Sequence, residues 1–506
     1  MQRTESGGWR IGPLVLGASA LLSLALLAGR LAGFGRELIL ASALGVSPDA
    51  DLAVLLLTLP DLLVNLLLSG GLSVALIPAL KAMPGPQAAS LFRQASLAVG
   101  GAFALLALVI AVTPSWWLGA LAPGADFSVT ASSLAYVPFV ALAVPLTALA
   151  GVSTAYLNAR ERFFVAGSGT LLFNLCVIAG LMAAAGAGVP ILWLCLGIFG
   201  GALVRWLSQV VALPRDVWRR ESVGVLLDSS LMKAFVTAFL SASLMLLVPV
   251  LVRGMASFLG QGTIATFNYA TKLIELPVGI LITTLATVAF PRLSALYAAA
   301  EPAQAHQVLR TALRRSALLS AAVLLAGVWF ADAVVALLFL RGRIDAGAVS
   351  QITLLTQVAM ASIPFVGISS LAAASLNAQR RTGDVLRVTA WCLALLPLLA
   401  APGLWWYSPA LLMGAVVAFQ AILALGLVAK GGIRWTGPAG WLDRRMLGCI
   451  LLMFALALPF YGMDSLLAPQ HVLVRTLLAV ALFLATAFVG VRFLSKGPAP
   501  ENSVVR

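Results

Sequence analysis

The sequence predicts an all-α polytopic membrane protein with about fourteen transmembrane helices, built as two parallel six-helix repeat lobes plus two C-terminal helices. Three observations support this class. Hydrophobic residues make up 61% of the 506 residues and charged residues only 10%. The mean hydropathy is +1.03. Continuous apolar runs reach the length of about 20 residues that a membrane-spanning helix needs, whereas a membrane β-barrel would alternate polar and apolar residues.

The apolar runs follow one another with short connectors between them. In the first half they lie near 13–44, 50–80, 90–113, 128–157, 163–186 and 189–213. In the second half they lie near 230–258, 263–291, 312–340, 350–377, 384–401, 404–429, 446–463 and 470–494. These runs predict an N-terminal lobe (1–213), a cytoplasmic linker (214–229), a C-terminal lobe (230–430), two extra helices (431–494) and a cytoplasmic tail (495–506).

The basic residues indicate the orientation of the chain in the membrane. The formal net charge is +14, and most lysines and arginines fall in alternate connectors and at the two termini. Connectors rich in lysine and arginine are retained on the cytoplasmic side of a membrane. The pattern therefore predicts that both termini are cytoplasmic, and it accounts for the positive charge without nucleic acid as a partner.

An internal repeat relates the two lobes. One shift along the chain superposes Arg36 on Arg253 and Leu59-Pro60 on Leu276-Pro277, and nearly the same shift superposes Leu157-Asn158-Ala159 on Leu376-Asn377-Ala378. Equal helix numbers in the same orientation predict a parallel repeat. Transporters commonly hold their substrate between such repeats near the middle of the membrane and rock the halves around it, so we expect alternating access.

Charged residues inside the apolar runs are the candidate substrate-binding residues. A cation near the bilayer centre costs about 2.5–3.5 kcal/mol on insertion scales, so such residues usually face an internal cavity. Arginine pairs well with phosphate oxygens, which favours an anionic substrate. An alternative is that these charges form buried ion pairs that only orient the lobes. The predicted binding residues are Arg30, Arg36, Asp51, Arg253, Lys272 and Glu275, the last two being close enough along one helix to pair.

Four residues predict bends in these helices. Arg30 and Arg36 would point about 120° apart on a straight helix, so Gly33 and Gly35 between them are predicted to allow a bend that turns both side chains inward. Pro60 and Pro277 each remove a backbone hydrogen bond and are predicted to permit kinks that accompany transport.

Other chemistry finds little support in the sequence. The four cysteines and two histidines lack metal-ligand spacing, so no metal site is predicted. There is no phosphate-binding loop of the Walker type and no large connector that could hold a catalytic site. We therefore expect a transporter, not an enzyme, without a cofactor. Its cycle would be driven by a coupled ion (H⁺ or Na⁺), by the membrane potential or by consumption of product.

Three motifs together resemble the MurJ/MviN family of lipid II flippases, in the multidrug/oligosaccharidyl-lipid/polysaccharide exporter superfamily. They are Arg30-Leu31-Ala32-Gly33-Phe34-Gly35-Arg36-Glu37, Leu59-Pro60-Asp61-Leu62-Leu63 and Ala270-Thr271-Lys272-Leu273-Ile274-Glu275-Leu276-Pro277.

The resemblance implies a protein of the bacterial cytoplasmic (inner) membrane that flips an undecaprenyl-pyrophosphate-linked glycan. Membrane lipids and glycan biosynthesis enzymes are the further partners it implies. Arg30, Arg36 and Lys272 stand at positions of essential basic residues in the family cavity, with Lys272 replacing the usual arginine, and Asp51 matches an important acid. The two extra helices would form a groove for the lipid tail.

Departures from the family pattern leave the substrate open. Val64 and Asn65 stand where the family commonly has two arginines, and Ser69-Gly70 replaces its Glu-Gly. The cargo could therefore be lipid II or an exopolysaccharide repeat unit on a related polyprenyl carrier. A multidrug or cation antiporter of the same superfamily is the main alternative, and a membrane polysaccharide polymerase is a more distant one.

Overall fold

The computed structural model describes residues 13–66, 72–127, 131–184, 188–218, 224, 229–436, 440–467 and 471–495. Throughout these ranges the regular secondary structure is helical, with no β-strand. Several positions used above lie outside the described residues, namely both chain termini, Ser69-Gly70 and most of the linker at 214–229.

The chain divides into two compact units. The first unit comprises Met1–Ala43, Leu52–Leu118 and Phe127–Leu246. The second unit comprises Leu44–Asp51, Gly119–Asp126 and Leu247–Arg506.

The described residues of the first half of the chain form eight α-helices. They are α1 (Pro13–Leu44), α2 (Pro48–Leu66), α3 (Leu72–Ala82), α4 (Gly85–Val112), α5 (Pro114–Leu121), α6 (Val137–Ala159), α7 (Phe163–Ala184) and α8 (Pro190–Val211). Proline stands at the first or second position of α4, α6 and α8. At these positions its fixed φ suits the helix and its missing N–H costs nothing.

Eleven helices follow in the second half. They are α9 (Ser229–Ala256), α10 (Thr263–Pro277), α11 (Thr283–Ala298), α12 (Pro302–Trp329), α13 (Ala331–Phe339), α14 (Ala346–Met360), α15 (Ile363–Ala378), α16 (Thr382–Trp405), α17 (Pro409–Gly431), α18 (Arg444–Ser465) and α19 (Val472–Ser495). A π-helical turn, Val278–Ile282, joins α10 to α11.

The order of long and short helices repeats along the chain. A short helix follows a long one at α4–α5 and again at α12–α13, and two long helices close each series at α7–α8 and α16–α17. Helices α18 and α19 come after the second series. The predicted lobes at 1–213 and 230–430 and the two extra helices stay a prediction.

Ten of the described helical segments are long and apolar enough to cross a membrane, or eleven if α14 and α15, which are bent by 42°, count as one span. The prediction of a polytopic helical membrane protein is therefore confirmed. The number of about fourteen spans is not established by this count and stays a prediction.

An ion-pair cluster fixes the terminal helices within the second unit. Arg475 of α19 donates from Nε to Asp464 Oδ1 (2.6 Å) and from Nη2 to Asp464 Oδ2 (2.9 Å), so it binds the end of α18 with both sides of its fork. Its Nη1 donates to Oδ2 of Asp332 in α13 (2.8 Å). Trp329 Nε1 also donates to Asp464 Oδ2, at 3.2 Å. Because Asp464 is only 6% exposed, this cluster anchors the terminal helices through buried charge.

Candidate substrate site

A buried charge cluster in the first unit surrounds Arg36 of α1. Its Nη2 donates to Glu37 Oε1 at 2.7 Å and to Asp61 Oδ2 at 2.8 Å. Its Nη1 donates to Asp61 Oδ1 at 3.2 Å and to Asn174 Oδ1 at 3.1 Å. Two carboxylates thus neutralise this arginine in the present conformation. The sequence gives no direct signal for the pair with Asp61, because 25 residues separate the partners.

The partners in this cluster differ in exposure. Arg36 and Glu37 are 3% and 2% exposed, whereas the side chain of Asp61 is 37% exposed. Asp61 is therefore the most exposed of these three charged side chains. It follows Pro60 inside α2, where the missing N–H of proline weakens the helical hydrogen bonding.

Asn174 of α7 connects the cluster to the backbone of α1. Its Nδ2 donates to the carbonyl oxygen of Gly29 at 3.2 Å while its Oδ1 accepts from Arg36. A Cβ at Gly33 would lie 3.3 Å from Asn174 Nδ2, and a Cβ at Gly29 would lie 3.4 Å from Thr170 Cβ. The glycines at Gly29 and Gly33 therefore let two helices approach closely, as small residues four apart commonly do in membrane proteins.

The contacts of Gly29 and Gly33 do not test the predicted bend between Arg30 and Arg36. Helix α1 runs uninterrupted through Gly33 and Gly35. Arg30 is exposed and Arg36 is buried, so the two side chains occupy different environments. A common inward orientation of both guanidinium groups stays a prediction.

A second buried arginine in the first unit was not among the predicted site residues. Arg205 of α8 is 1% exposed, and its Nε and Nη1 are buried without a hydrogen-bond partner. The carboxylate of Asp61 acts electrostatically on this guanidinium as well as on that of Arg36. Asp61 thus acts on two buried cations. The only sequence signal for Arg205 was its position inside an apolar run.

Asp51 has a well-defined structural role in the second unit. Its Oδ2 accepts from the backbone N–H of Gly262 at 2.6 Å and its Oδ1 from that of Ala265 at 2.8 Å. Helix α10 begins at Thr263 without a side-chain cap of its own. A carboxylate at a helix N-terminus accepts hydrogen bonds from N–H groups that lack a partner within the helix, and its charge interacts favourably with the helix dipole. Asp51 therefore caps α10, although it lies far from that helix in sequence. Contact between Asp51 and substrate stays a prediction.

The other predicted charges lie on α9 and α10. Arg253 Nη2 donates to Asn268 Oδ1 at 2.8 Å. Lys272 Nζ donates to Glu275 Oε2 at 2.7 Å, with side-chain exposures of 21% and 56%. The pairing predicted for Lys272 and Glu275 is confirmed. Arg253, like Arg36 in the first unit, is hydrogen-bonded to an asparagine of a neighbouring helix.

Pro277 lies at a break in regular helix geometry. It is the last residue of α10, and the π-helical turn Val278–Ile282 follows directly. Such turns often occur at functional positions and at kinks. The structure therefore places a local irregularity where a kink was predicted, while motion at Pro277 stays a prediction.

Metal ligation has no candidate in the described part of the chain. No group of three or more His, Cys, Asp or Glu side chains is arranged there to hold an ion. The chemistry offered by each unit is instead that of arginine and lysine donors held by carboxylates and asparagine amides. Such donors can exchange a carboxylate for a phosphate, because arginine binds either anion through two parallel hydrogen bonds.

The fold is similar to that of solved membrane transporters. A structure described as lipid II flippase MurJ in an inward closed conformation aligns with a TM-score of 0.82 at 18% identity, covering 94% of this chain and 100% of that one. A multidrug resistance MATE family transporter of the MOP superfamily aligns with a TM-score of 0.63 at 15% identity, covering 82% and 97%. The described spans and this fold together define a multi-pass helical membrane protein.

The sequence comparisons specify the family. Residues 40–382 match the family described as lipid II flippase MurJ. The lipid II flippase MurJ of Burkholderia cenocepacia is 28% identical over 365 residues, which cover 68% of this chain and 69% of that protein. A probable lipid II flippase MurJ of Vibrio cholerae is 25% identical over 360 residues, 67% of each chain. The chain belongs to the MurJ family, which confirms the predicted resemblance and a transporter rather than an enzyme.

Proposed function

We propose that this protein is a flippase that moves a polyprenyl-pyrophosphate-linked saccharide, with lipid II as the leading candidate, from the inner to the outer face of the bacterial cytoplasmic membrane. The match of residues 40–382 to the MurJ family carries this proposal. The basic connectors favour a topology with both termini in the cytoplasm. Glycan biosynthesis enzymes would supply the substrate on that side.

The pyrophosphate is the part of the substrate that the buried arginines suit. Arg36 is held by the more exposed Asp61, so an incoming phosphate would meet this carboxylate first and replace it on the arginine fork. Exchange of one anion for another avoids leaving the buried guanidinium without a partner, which would be costly. In the second unit, Arg253 and Lys272 would make equivalent contacts.

A cation-exporting antiporter is less well supported by these residues. Cationic drugs would be held by carboxylates that face the substrate, whereas here Glu37, Asp61 and Glu275 each contact a basic side chain. Val64 and Asn65, in place of the arginines common in the family, keep a different polyprenyl-linked glycan as the second candidate cargo.

The test is transport by the purified protein in liposomes, measured as movement of fluorescent lipid II across the bilayer. Wild-type protein is expected to flip lipid II, and Arg253→Ala is expected to abolish flipping while the protein still inserts. Arg341→Ala, an exposed arginine, is the matched control and should transport normally. Binding of cationic drugs without any binding of lipid pyrophosphates would overturn the proposal.

The driving force can be measured in the same liposomes. We propose that an H⁺ gradient, a Na⁺ gradient or the membrane potential drives net transport, since a fixed charge cannot do so by itself. Each gradient is imposed separately. Offering an exopolysaccharide repeat unit on the same polyprenyl carrier, in competition with lipid II, identifies the preferred cargo.

A further inference from the structure

A second basic pocket lies in the second unit, at the beginning of α12 and beside the segment between α17 and α18. Its volume is about 310 Å³. The lining residues are His306, Leu309, Arg310, Leu313, Gly432, Ile433, Arg434 and Trp441. None of the residues that line this pocket belongs to the substrate site described above.

The polar groups of this pocket are donors that suit an anion. Arg310 and Arg434 contribute two positive charges, and no carboxylate is among the lining residues. Trp441 is 4% exposed, and its indole Nε1 is buried without a hydrogen-bond partner. A buried N–H normally finds an acceptor. The pocket therefore lacks a hydrogen-bond acceptor that a bound anion would supply.

The pocket is held in shape by hydrogen bonds that do not involve a ligand. Arg314 donates from Nε to the carbonyl oxygen of Trp441 at 2.9 Å and pairs through Nη2 with Asp443. Leu442 N donates to the carbonyl oxygen of Trp435 at 2.8 Å, and the rings of Trp435 and Trp441 lie 5.3 Å apart.

The surroundings favour a lipid over a soluble anion. Helices α12, α17 and α18 each qualify as membrane-crossing, and the pocket lies at the ends of these helices. Two tryptophans beside it are typical of the interface between membrane and water. Leu309, Leu313 and Ile433 add apolar surface next to the arginines, as a glycerol backbone and the start of an acyl chain require. Basic pockets between helices on the cytoplasmic side bind lipid head groups in other membrane proteins.

We infer that this pocket binds the phosphate of an anionic phospholipid through Arg310, Arg434 and the indole N–H of Trp441. The inference is independent of the proposed flippase function, because lipid binding is measured without transport. The pocket would thereby bind a lipid of the surrounding membrane.

The experiment compares the affinity of the full-length purified protein for phosphatidylglycerol and for phosphatidylcholine by native mass spectrometry. Wild-type protein is expected to prefer phosphatidylglycerol. The double variant Arg310→Gln/Arg434→Gln should weaken phosphatidylglycerol binding about tenfold, the size expected for loss of charged hydrogen bonds. Arg315→Gln removes one positive charge from the helix of Arg310, outside the pocket, and should change the affinity less than about twofold, whereas Arg310→Gln alone should weaken it more.

Trp441→Phe keeps an aromatic ring and removes the N–H, so it tests the pocket even if the double variant does not fold. It should weaken phosphatidylglycerol binding about threefold. Unchanged affinity in both Trp441→Phe and Arg434→Gln would overturn the inference, and so would an equal loss in Arg315→Gln. Displacement of phosphatidylglycerol by millimolar inorganic phosphate would identify the ligand as a soluble anion instead.

Discussion

Asp61 holds Arg36 by two parallel contacts, from Nη1 to Oδ1 at 3.2 Å and from Nη2 to Oδ2 at 2.8 Å. This ion pair joins α1 to α2. Arg36 is buried, whereas the side chain of Asp61 is 37% exposed. Two-point binding of this kind is the geometry with which arginine also binds phosphate. The pair therefore neutralises a buried cation, and in the proposed mechanism a substrate phosphate would replace Asp61 on Arg36.

Asp61→Asn should raise the affinity for a polyprenyl diphosphate while lowering the free energy of unfolding by about 1 kcal/mol, because the lost anion is partly exposed. Removing the competing carboxylate leaves the fork of Arg36 open to phosphate. Binding is measured by titration of the purified protein, and Asp49→Asn on the same helix is the control. A loss of affinity as large as that of Arg36→Ala would show that Asp61 does not compete with substrate.

Arg36→Ala should abolish transport and lower the free energy of unfolding by about 3–5 kcal/mol, since it removes the buried cation that Glu37 and Asp61 both contact. Thermal unfolding in detergent and the liposome assay measure the two effects. A double-mutant cycle with Asp61→Asn measures the interaction energy between Arg36 and Asp61, apart from the effect of each single substitution. Wild-type transport by Arg36→Ala would leave this arginine with a structural role only.

Asp51→Ala should lower the free energy of unfolding by about 1–2 kcal/mol, the usual cost of losing a helix N-cap. The reason is that the N–H groups of Gly262 and Ala265 would lose their acceptor. Asp49→Ala, two residues earlier in the same helical turn, is the matched control and should be nearly neutral. If both variants are equally stable, the cap contributes nothing measurable.

Gly262→Ala tests the packing at the start of α10, where Asp51 caps the helix. The backbone at Gly262 has φ of 80°, and a Cβ there would lie 2.4 Å from Val46 Cγ1. Strain and steric overlap should together cost more than about 1 kcal/mol. The measurement is the thermal unfolding midpoint, for which no change at all would contradict the close packing at this position.

Gly33→Ala and Gly35→Ala form a matched pair on α1. Alanine favours a helix interior by about 0.5–1 kcal/mol over glycine. That gain is expected for Gly35, where a Cβ meets nothing within 4 Å. At Gly33 the new Cβ would press on Asn174, which is held by Arg36 and Gly29, so the variant should be less stable than Gly35→Ala.

Transport by the same two variants tests the predicted bend. If a bend at these glycines is needed, Gly35→Ala should lose transport despite its higher stability. If the glycines serve close packing alone, only Gly33→Ala should be impaired. Flipping rates and unfolding midpoints of the two proteins, measured side by side, distinguish the two roles.

Arg475→Met should lower the free energy of unfolding by about 3 kcal/mol, because Asp464 would be left buried without its cation. Loosening of α18 and α19 should also make the segment between these helices more sensitive to protease. Arg492→Met, near the end of α19 and exposed, is the control. Equal protease resistance in both variants would mean that packing of the helices, not the ion pairs, holds the terminal helices in place.

The sequence by itself determined the class, the repeat and the family. Apolar runs of sufficient length must form helices in a bilayer, since lipid offers no partner for an open backbone group, and this is a local property of the chain. The intrahelical pair Lys272–Glu275 was predictable for the same reason, because the spacing of residues on a helix is fixed. Motif order was enough to identify the resemblance to the MurJ family.

Only the tertiary structure decided which charges neutralise one another. Asp61 reaches Arg36 across 25 residues, and Asp51 caps α10 across more than two hundred residues. Gly33 packs against Asn174. From the sequence alone, this packing role could not be distinguished from a role in bending the helix. Each of these partners is set by the packing of helices distant in sequence, and burial makes that choice decisive because a charge removed from water needs a specific partner.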